Sequence, residues 1–143
     1  MTDFEKKSEE LIKTNEEYLK IFKNDLENSN LSPKTIRSHL ANANFYINEF
    51  LVRSLLPMAC GVEEIGSYLG DFFIRKCMWS TPGTIKTTAA SIKKFYKCML
   101  ENGKIDKEDY EELCYRIKCD MEDWQRNCAI FNDPEDENPF MWY

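Results

Sequence analysis

The residues best suited to chemistry in this chain are the lysines Lys86, Lys93, Lys94 and Lys97, with Thr87 and Ser91 between them. At helical spacing Lys86, Lys93 and Lys97 share one exposed line, and Lys94 stands beside it with Thr87 and Ser91. Cations interleaved with short hydroxyl side chains suit a phosphate backbone. The lysines neutralise charge, and the small residues allow close approach. A smaller set, Lys34, Thr35, Arg37 and Ser38, follows Ser32-Pro33. There the unpaired N–H groups of a helix start also favour phosphate. The alternative is two solvated helix faces, but two such patches in one chain weigh more than either alone.

The whole chain carries a net charge of -6, and a uniformly acidic protein would bind nucleic acid poorly. The charge is not uniform. Residues 75–104 hold seven basic residues (Arg75, Lys76, Lys86, Lys93, Lys94, Lys97 and Lys104) against one acid, a net +6. Residues 105–143 hold four basic and twelve acidic residues, a net -8.

Other chemistry is poorly supported. The 6 cysteines (Cys60, Cys77, Cys98, Cys114, Cys119 and Cys128) lie in helical patterning rather than a loop-rich framework, so they read as reduced thiols in or near a core. A zinc site would draw on Cys114, Cys119 and Cys128. Zinc pairs sit on short knuckles at turns, whereas five helical positions put Cys114 and Cys119 on different faces. His39 is the only histidine and is remote from them. No metal and no cofactor is expected. There is no phosphate loop and no dinucleotide fingerprint. Nothing in the sequence brings Ser67, Asp71 and His39 together as a triad, and Glu108, Asp109, Glu111 and Glu112 read as a solvated first helical turn. No catalytic residue is assigned, and the chain is expected not to be an enzyme.

The elements that must position these residues are helices. With 5 Gly and 5 Pro as punctuation, nearly the whole chain repeats at 3.6 residues. The first helix is expected over 3–28, capped by Asp3, with Phe4, Leu11, Ile12, Leu19, Phe22 and Leu26 inward. Ser32-Pro33 starts a second, to about Arg53, burying Ile36, Leu40, Ala43, Ile47, Phe50 and Leu51. A third spans 62–77 with Ile65, Leu69, Phe72 and Phe73 inward. A fourth runs from a cap near Thr84 to Asn102, with Ile85, Ala89, Ile92, Tyr96 and Met99 in the core. Asp106 caps a fifth to about Ala129, carrying Tyr110, Leu113, Ile117, Met121 and Trp124. The expected fold is all-α: four to five helices as crossed antiparallel hairpins over residues 1–132. Residues 133–143 form an acidic, aromatic tail.

At 143 residues, 43% of them hydrophobic, the chain suits one ordinary globular domain and excludes a disordered one. No apolar run approaches the ~18–20 residues of a membrane span, and the charged N-terminus is no secretory signal. A cytoplasmic protein with no membrane contact is expected.

The segment Leu31-Ser32-Pro33-Lys34-Thr35-Ile36-Arg37-Ser38-His39-Leu40, followed by Phe45-Tyr46-Ile47-Asn48-Glu49-Phe50-Leu51, resembles a known pattern. It is similar to the second helix of the N-terminal core-binding (SAM-like) domain of tyrosine recombinases, the phage integrases. That family reads Leu-Ser, two residues, Thr, then an apolar stripe ending in Phe and Leu. The segment 80–105 resembles the family's fourth helix. It has a capped start, Thr84-Ile85, a Ser91-Ile92 centre, the Phe95-Tyr96 pair and a terminating Gly103. The resemblance covers about 31–105. It implies two crossed helical hairpins, a role in DNA integration or recombination within a mobile element, and a DNA-facing side built on the second and fourth helices. By position it places Lys34, Thr35, Arg37 and Ser38, with Lys86, Thr87, Ser91 and Lys94, near double-stranded DNA. The family's catalytic arginines, lysine, histidine motif and tyrosine nucleophile have no counterpart, so recombinase activity is rejected.

The expectation is therefore a non-catalytic DNA-binding module, with Lys93 and Lys97 adding to the contact set. A second class remains open: an acidic helical adaptor whose partner is a basic, nucleic-acid-binding protein. Phe140, Trp142 and Tyr143 suit a docking contact with such a partner or a homodimer. Geometry discriminates. A basic face free of the acids in 105–143 favours DNA; a neutralised face favours the adaptor.

Overall fold

Hydroxyl and carboxylate side chains start the long helices. The computed structural model describes residues 1–133. The first helix, α1 (Asp3–Glu27), is capped by Thr2 rather than Asp3. The Thr2 hydroxyl accepts from the Glu5 N–H at 3.1 Å, and the Glu5 carboxylate accepts from the Thr2 N–H at 3.3 Å. That reciprocal pair satisfies two N–H groups that a bare helix start leaves open. Ser32 caps α2 (Pro33–Asn44) as expected, with Pro33 at the first helical position. Its rod continues through a π-helical segment, Phe45–Leu51, and a 3-10 turn, Val52–Ser54. It stops at Leu55 in a left-handed conformation (φ 55).

The third rod is one helix with an inset rather than a uniform 62–77 helix. It comprises a 3-10 turn Met58–Cys60, α3 (Gly61–Ser67), a π-helical segment Tyr68–Phe72 and α4 (Phe73–Lys76). The fourth rod, α5 (Pro82–Glu101), begins three residues earlier than a Thr84 cap would set it. Thr81 is the cap, and its hydroxyl accepts from the Thr84 N–H at 3.0 Å. Thr84 belongs to the first turn, its hydroxyl accepting from the Thr81 N–H. The last rod, α6 (Lys107–Asn132), is capped by Asp106 as expected and runs a turn past Ala129. No described residue lies in a strand, so the fold is all-α. No helix among the described residues is long and apolar enough to cross a membrane.

Short connections fold α1 onto α2 and α6 onto α5, and α2 packs along α5 at the centre. The core runs between them through Phe22, Leu26, Ile47, Leu69, Ile85, Ile92, Phe95 and Met99. Phe22 and Phe95 meet edge to face, their centroids 5.3 Å apart. The two π-helical segments face each other through aromatic rings. Phe50 lies 5.0 Å from both Tyr68 and Phe72, and Tyr46 lies 4.8 Å from Tyr68. Two of the three buried phenols are bonded to carbonyls: Tyr46 donates to Gly61, and Tyr96 donates to Met58 at 2.6 Å.

The N-terminal half of α1 departs from its apolar stripe. Phe4 is 52% exposed and Ile12 is 38% exposed. The residue buried there is polar. The Asn15 amide donates to the Ile47 carbonyl at 3.2 Å and to Asn48 Oδ1 at 2.8 Å, tying α1 to the π-helical turn after α2. A π-helical turn leaves carbonyls that ordinary i→i−4 bonding would have taken, and Asn15 supplies a partner. Phe140, Trp142 and Tyr143, assigned above to a partner or dimer contact, lie outside the described residues.

Candidate nucleic-acid interface

Where α2 and α5 run side by side they enclose an open groove of about 320 Å³. From α2 it is lined by Lys34, Thr35, Ser38, His39 and Asn42, and from α5 by Thr87, Ala90 and Ser91. These positions repeat at three and four residues on each helix, which is why two polar stripes meet. Five of the ten residues expected to contact DNA are therefore brought together: Lys34, Thr35, Ser38, Thr87 and Ser91. Lys94 adjoins them, since its charge acts on His39. Arg37, Lys86, Lys93 and Lys97 are exposed but do not line the groove. On α5 the last three lie roughly a quarter turn from Thr87 and Lys94, at 100° per residue.

Ser91 corrects one expectation. It is only 2% exposed, and its hydroxyl is committed to the helix–helix seam rather than to an outside ligand. Ser91 Oγ accepts from the Asn42 amide at 3.0 Å, lies 2.8 Å from His39 Nδ1 and donates to the Thr87 carbonyl at 3.3 Å. The hydroxyl has one proton. When it goes to the Thr87 carbonyl, Nδ1 of His39 must donate, and all three bonds are satisfied at once. A serine beside a histidine also invites a nucleophilic reading. The site lacks its other parts: the hydroxyl is buried and already bonded, and no carboxylate orients the ring. Ser67 and Asp71 do not join His39. Ser67 is exposed, and Asp71 accepts from Arg75 through both oxygens, at 2.7 and 2.8 Å.

Burial first, and then the nearby Lys94 charge, hold the His39 imidazole below its usual pKa. His39 and Asn42 were not in the predicted contact set. The signal that would have found them is the polar series Thr35, Ser38/His39 and Asn42 at three- and four-residue steps, which interrupts an otherwise amphipathic helix.

No acidic side chain among the described residues lines this groove. Among the described residues the ion pairs of α6 are local: Lys107 with Glu111, Arg116 with Glu112, and Arg126 with Asp123. Lys34, Arg37, Lys86, Lys93, Lys94 and Lys97 make no ion pair among the described residues. The larger groove between α1 and α2, about 470 Å³, is apolar, floored by Leu19 and Leu40 with Lys20 and Lys23 among its lining. It has no convergent polar set to orient a small ligand.

The cysteines are all free thiols. Cys77 and Cys98 are buried, and burial pushes both up to about 11, away from reactive thiolate chemistry. No cluster of three or more His, Cys, Asp or Glu side chains suited to a metal ion occurs among the described residues.

Comparison of the chain with protein-family models, with curated proteins and with solved structures gave no match.

Proposed function

We propose that this chain is a non-catalytic, cytoplasmic DNA-binding module, similar in role to the core-binding domain of a tyrosine recombinase, that grips the phosphate backbone through α2 and α5. The observation that supports this reading is the paired face itself. Two helices present a shared polar groove flanked by cations that have no acid partner among the described residues. Unneutralised lysines beside short hydroxyl side chains favour a phosphodiester backbone over a carboxylate-bearing protein surface. Three acids of α6, Glu111, Glu112 and Asp123, pair with cations of their own helix, and no acid among the described residues lines this groove.

The test is fluorescence anisotropy with a mixed-sequence duplex at about 50 and 200 mM salt, where counterion release makes phosphate contacts salt-sensitive. Lys34→Glu with Lys94→Glu is expected to abolish binding. Lys93→Glu with Lys97→Glu is expected to weaken it less, because those two stand outside the groove. No binding of the unaltered chain at the lower salt removes this reading. The acidic adaptor, with a basic protein as its partner, then takes its place.

A further inference from the structure

His39 sits at the middle of the groove and shares its lining with Lys34, Ser38 and Thr87. One ring nitrogen, Nδ1, is spent on Ser91. The other, Nε2, makes no hydrogen bond among the described residues and is not sealed from solvent. The proton of the Ser91 hydroxyl sets what that atom is, and the inference takes the arrangement in which it goes to the Thr87 carbonyl. With Nδ1 donating to Ser91, the neutral ring presents a bare lone pair at Nε2, and only the imidazolium presents an N–H there. A phosphate oxygen is an acceptor. It meets repulsion from the neutral ring and a charge-assisted hydrogen bond from the protonated one.

We infer that His39 is a proton-gated phosphate contact: its imidazolium Nε2–H donates to a phosphodiester oxygen in the α2–α5 groove, so that His39 takes up one proton when a phosphate binds there. The inference rests on the DNA-binding reading for the source of the phosphate. No bond is made or broken; a solvent proton moves onto Nε2, and the phosphate stays ionised throughout. The charged groups near His39 are cationic. Lys94 acts on it from α5, and Lys34 lines the same groove from its own helix. The helix α1 packs on α2 through a different groove, lined by Leu40, Ala41 and Asn44, and its Glu16, Lys20 and Lys23 line that one. In the free protein burial first, and then the Lys94 charge, lower the His39 pKa and favour the neutral ring. A bound phosphate reverses the balance by pairing with the imidazolium.

The direction follows by linkage. A ligand that raises the pKa of His39 binds more tightly as pH falls through that pKa, by up to about tenfold for each unit by which the pKa rises. His39 is the only histidine, so the chain offers a single imidazole signal.

The experiment uses the full chain and follows the His39 Cε1–H resonance from pH 5 to 8 alone, with a short duplex and with dimethyl phosphate. Duplex affinity is measured by anisotropy at pH 5.5 and 7.5. The expected result is a raised His39 pKa with duplex and tighter binding at pH 5.5. In His39→Gln, which keeps an amide to bond Ser91, affinity should lose its pH dependence while the thermal melt stays close to that of the parent. Salt-sensitive duplex binding with an unmoved His39 pKa overturns the inference and leaves the DNA reading standing. If dimethyl phosphate raises the pKa but duplex does not bind, the groove is a site for free phosphate esters and the DNA reading falls. If neither probe moves the resonance and duplex does not bind, both fall.

Discussion

The helices α5 and α6 are neighbours of similar length, both capped at the N-terminus and both amphipathic, yet they do different work. Nine residues of α5 are buried, from Ile85 to Met99, against three of α6: Leu113, Trp124 and Cys128. α5 carries four lysines against one glutamate, whereas α6 carries four cations against seven acids. Three of the four cations of α6 are engaged along their own helix, while the lysines of α5 make no ion pair among the described residues. The difference teaches that α5 is the central element. Its inward arc is held by many contacts, which leaves its outward arc free to specialise. α6 is a broader, shallower cover that lies along both α5 and the third rod, with few residues fully buried and Tyr110, Ile117, Met121 and Phe131 half-buried against the core.

The widest gap between them should appear in stability. Ile92, fully buried on α5, should cost about 3 kcal/mol when cut to Ala, the usual scale for a closed core site. Ile130→Ala on α6, where the side chain is 44% exposed, should change stability by less than about 0.5 kcal/mol. Urea unfolding of the two variants measures this, and equal losses would break the distinction between core helix and cover.

A second variant tests how α6 is fastened. A Cβ placed on Gly70 would lie 2.7 Å from Trp124 Cδ1 and 2.9 Å from its Nε1, so the missing side chain is what lets the indole seat on the third rod. Gly70→Ala is expected to cost about 1–3 kcal/mol through that overpacking. Its signature should be selective, with amide exchange rising in α6 before α5. Uniform loss of protection would mean that α6 is as integral as α5.

The smallest effect concerns charge. Arg126 and Asp123, more than 60% exposed, lie 2.9 Å apart on α6. Arg126→Ala should change the unfolding free energy by less than about 1 kcal/mol, and less still at high salt. A larger loss would show that the ion pairs of α6 stabilise the fold rather than keep its charges to themselves.

The sequence alone determined the helical class, the caps at Ser32 and Asp106, the inward arc of α5 and the segregation of charge. All of these follow from local periodicity and from side chains that reach their own first turn. Tertiary structure decided what depends on a neighbour. The π-helical turns at Phe45–Leu51 and Tyr68–Phe72 arise where aromatic rings from two rods must interlock, a demand no single helix expresses. Asn15 is buried because one of those turns frees the Ile47 carbonyl, and Phe4 is exposed because no other described element folds over it. The same holds at the candidate site. Thr35, Ser38 and Thr87 were legible as polar positions. That Ser91 faces inward to His39 and Asn42 depends on the rotation of α2 against α5, an angle set by packing between helices and written in neither sequence segment by itself.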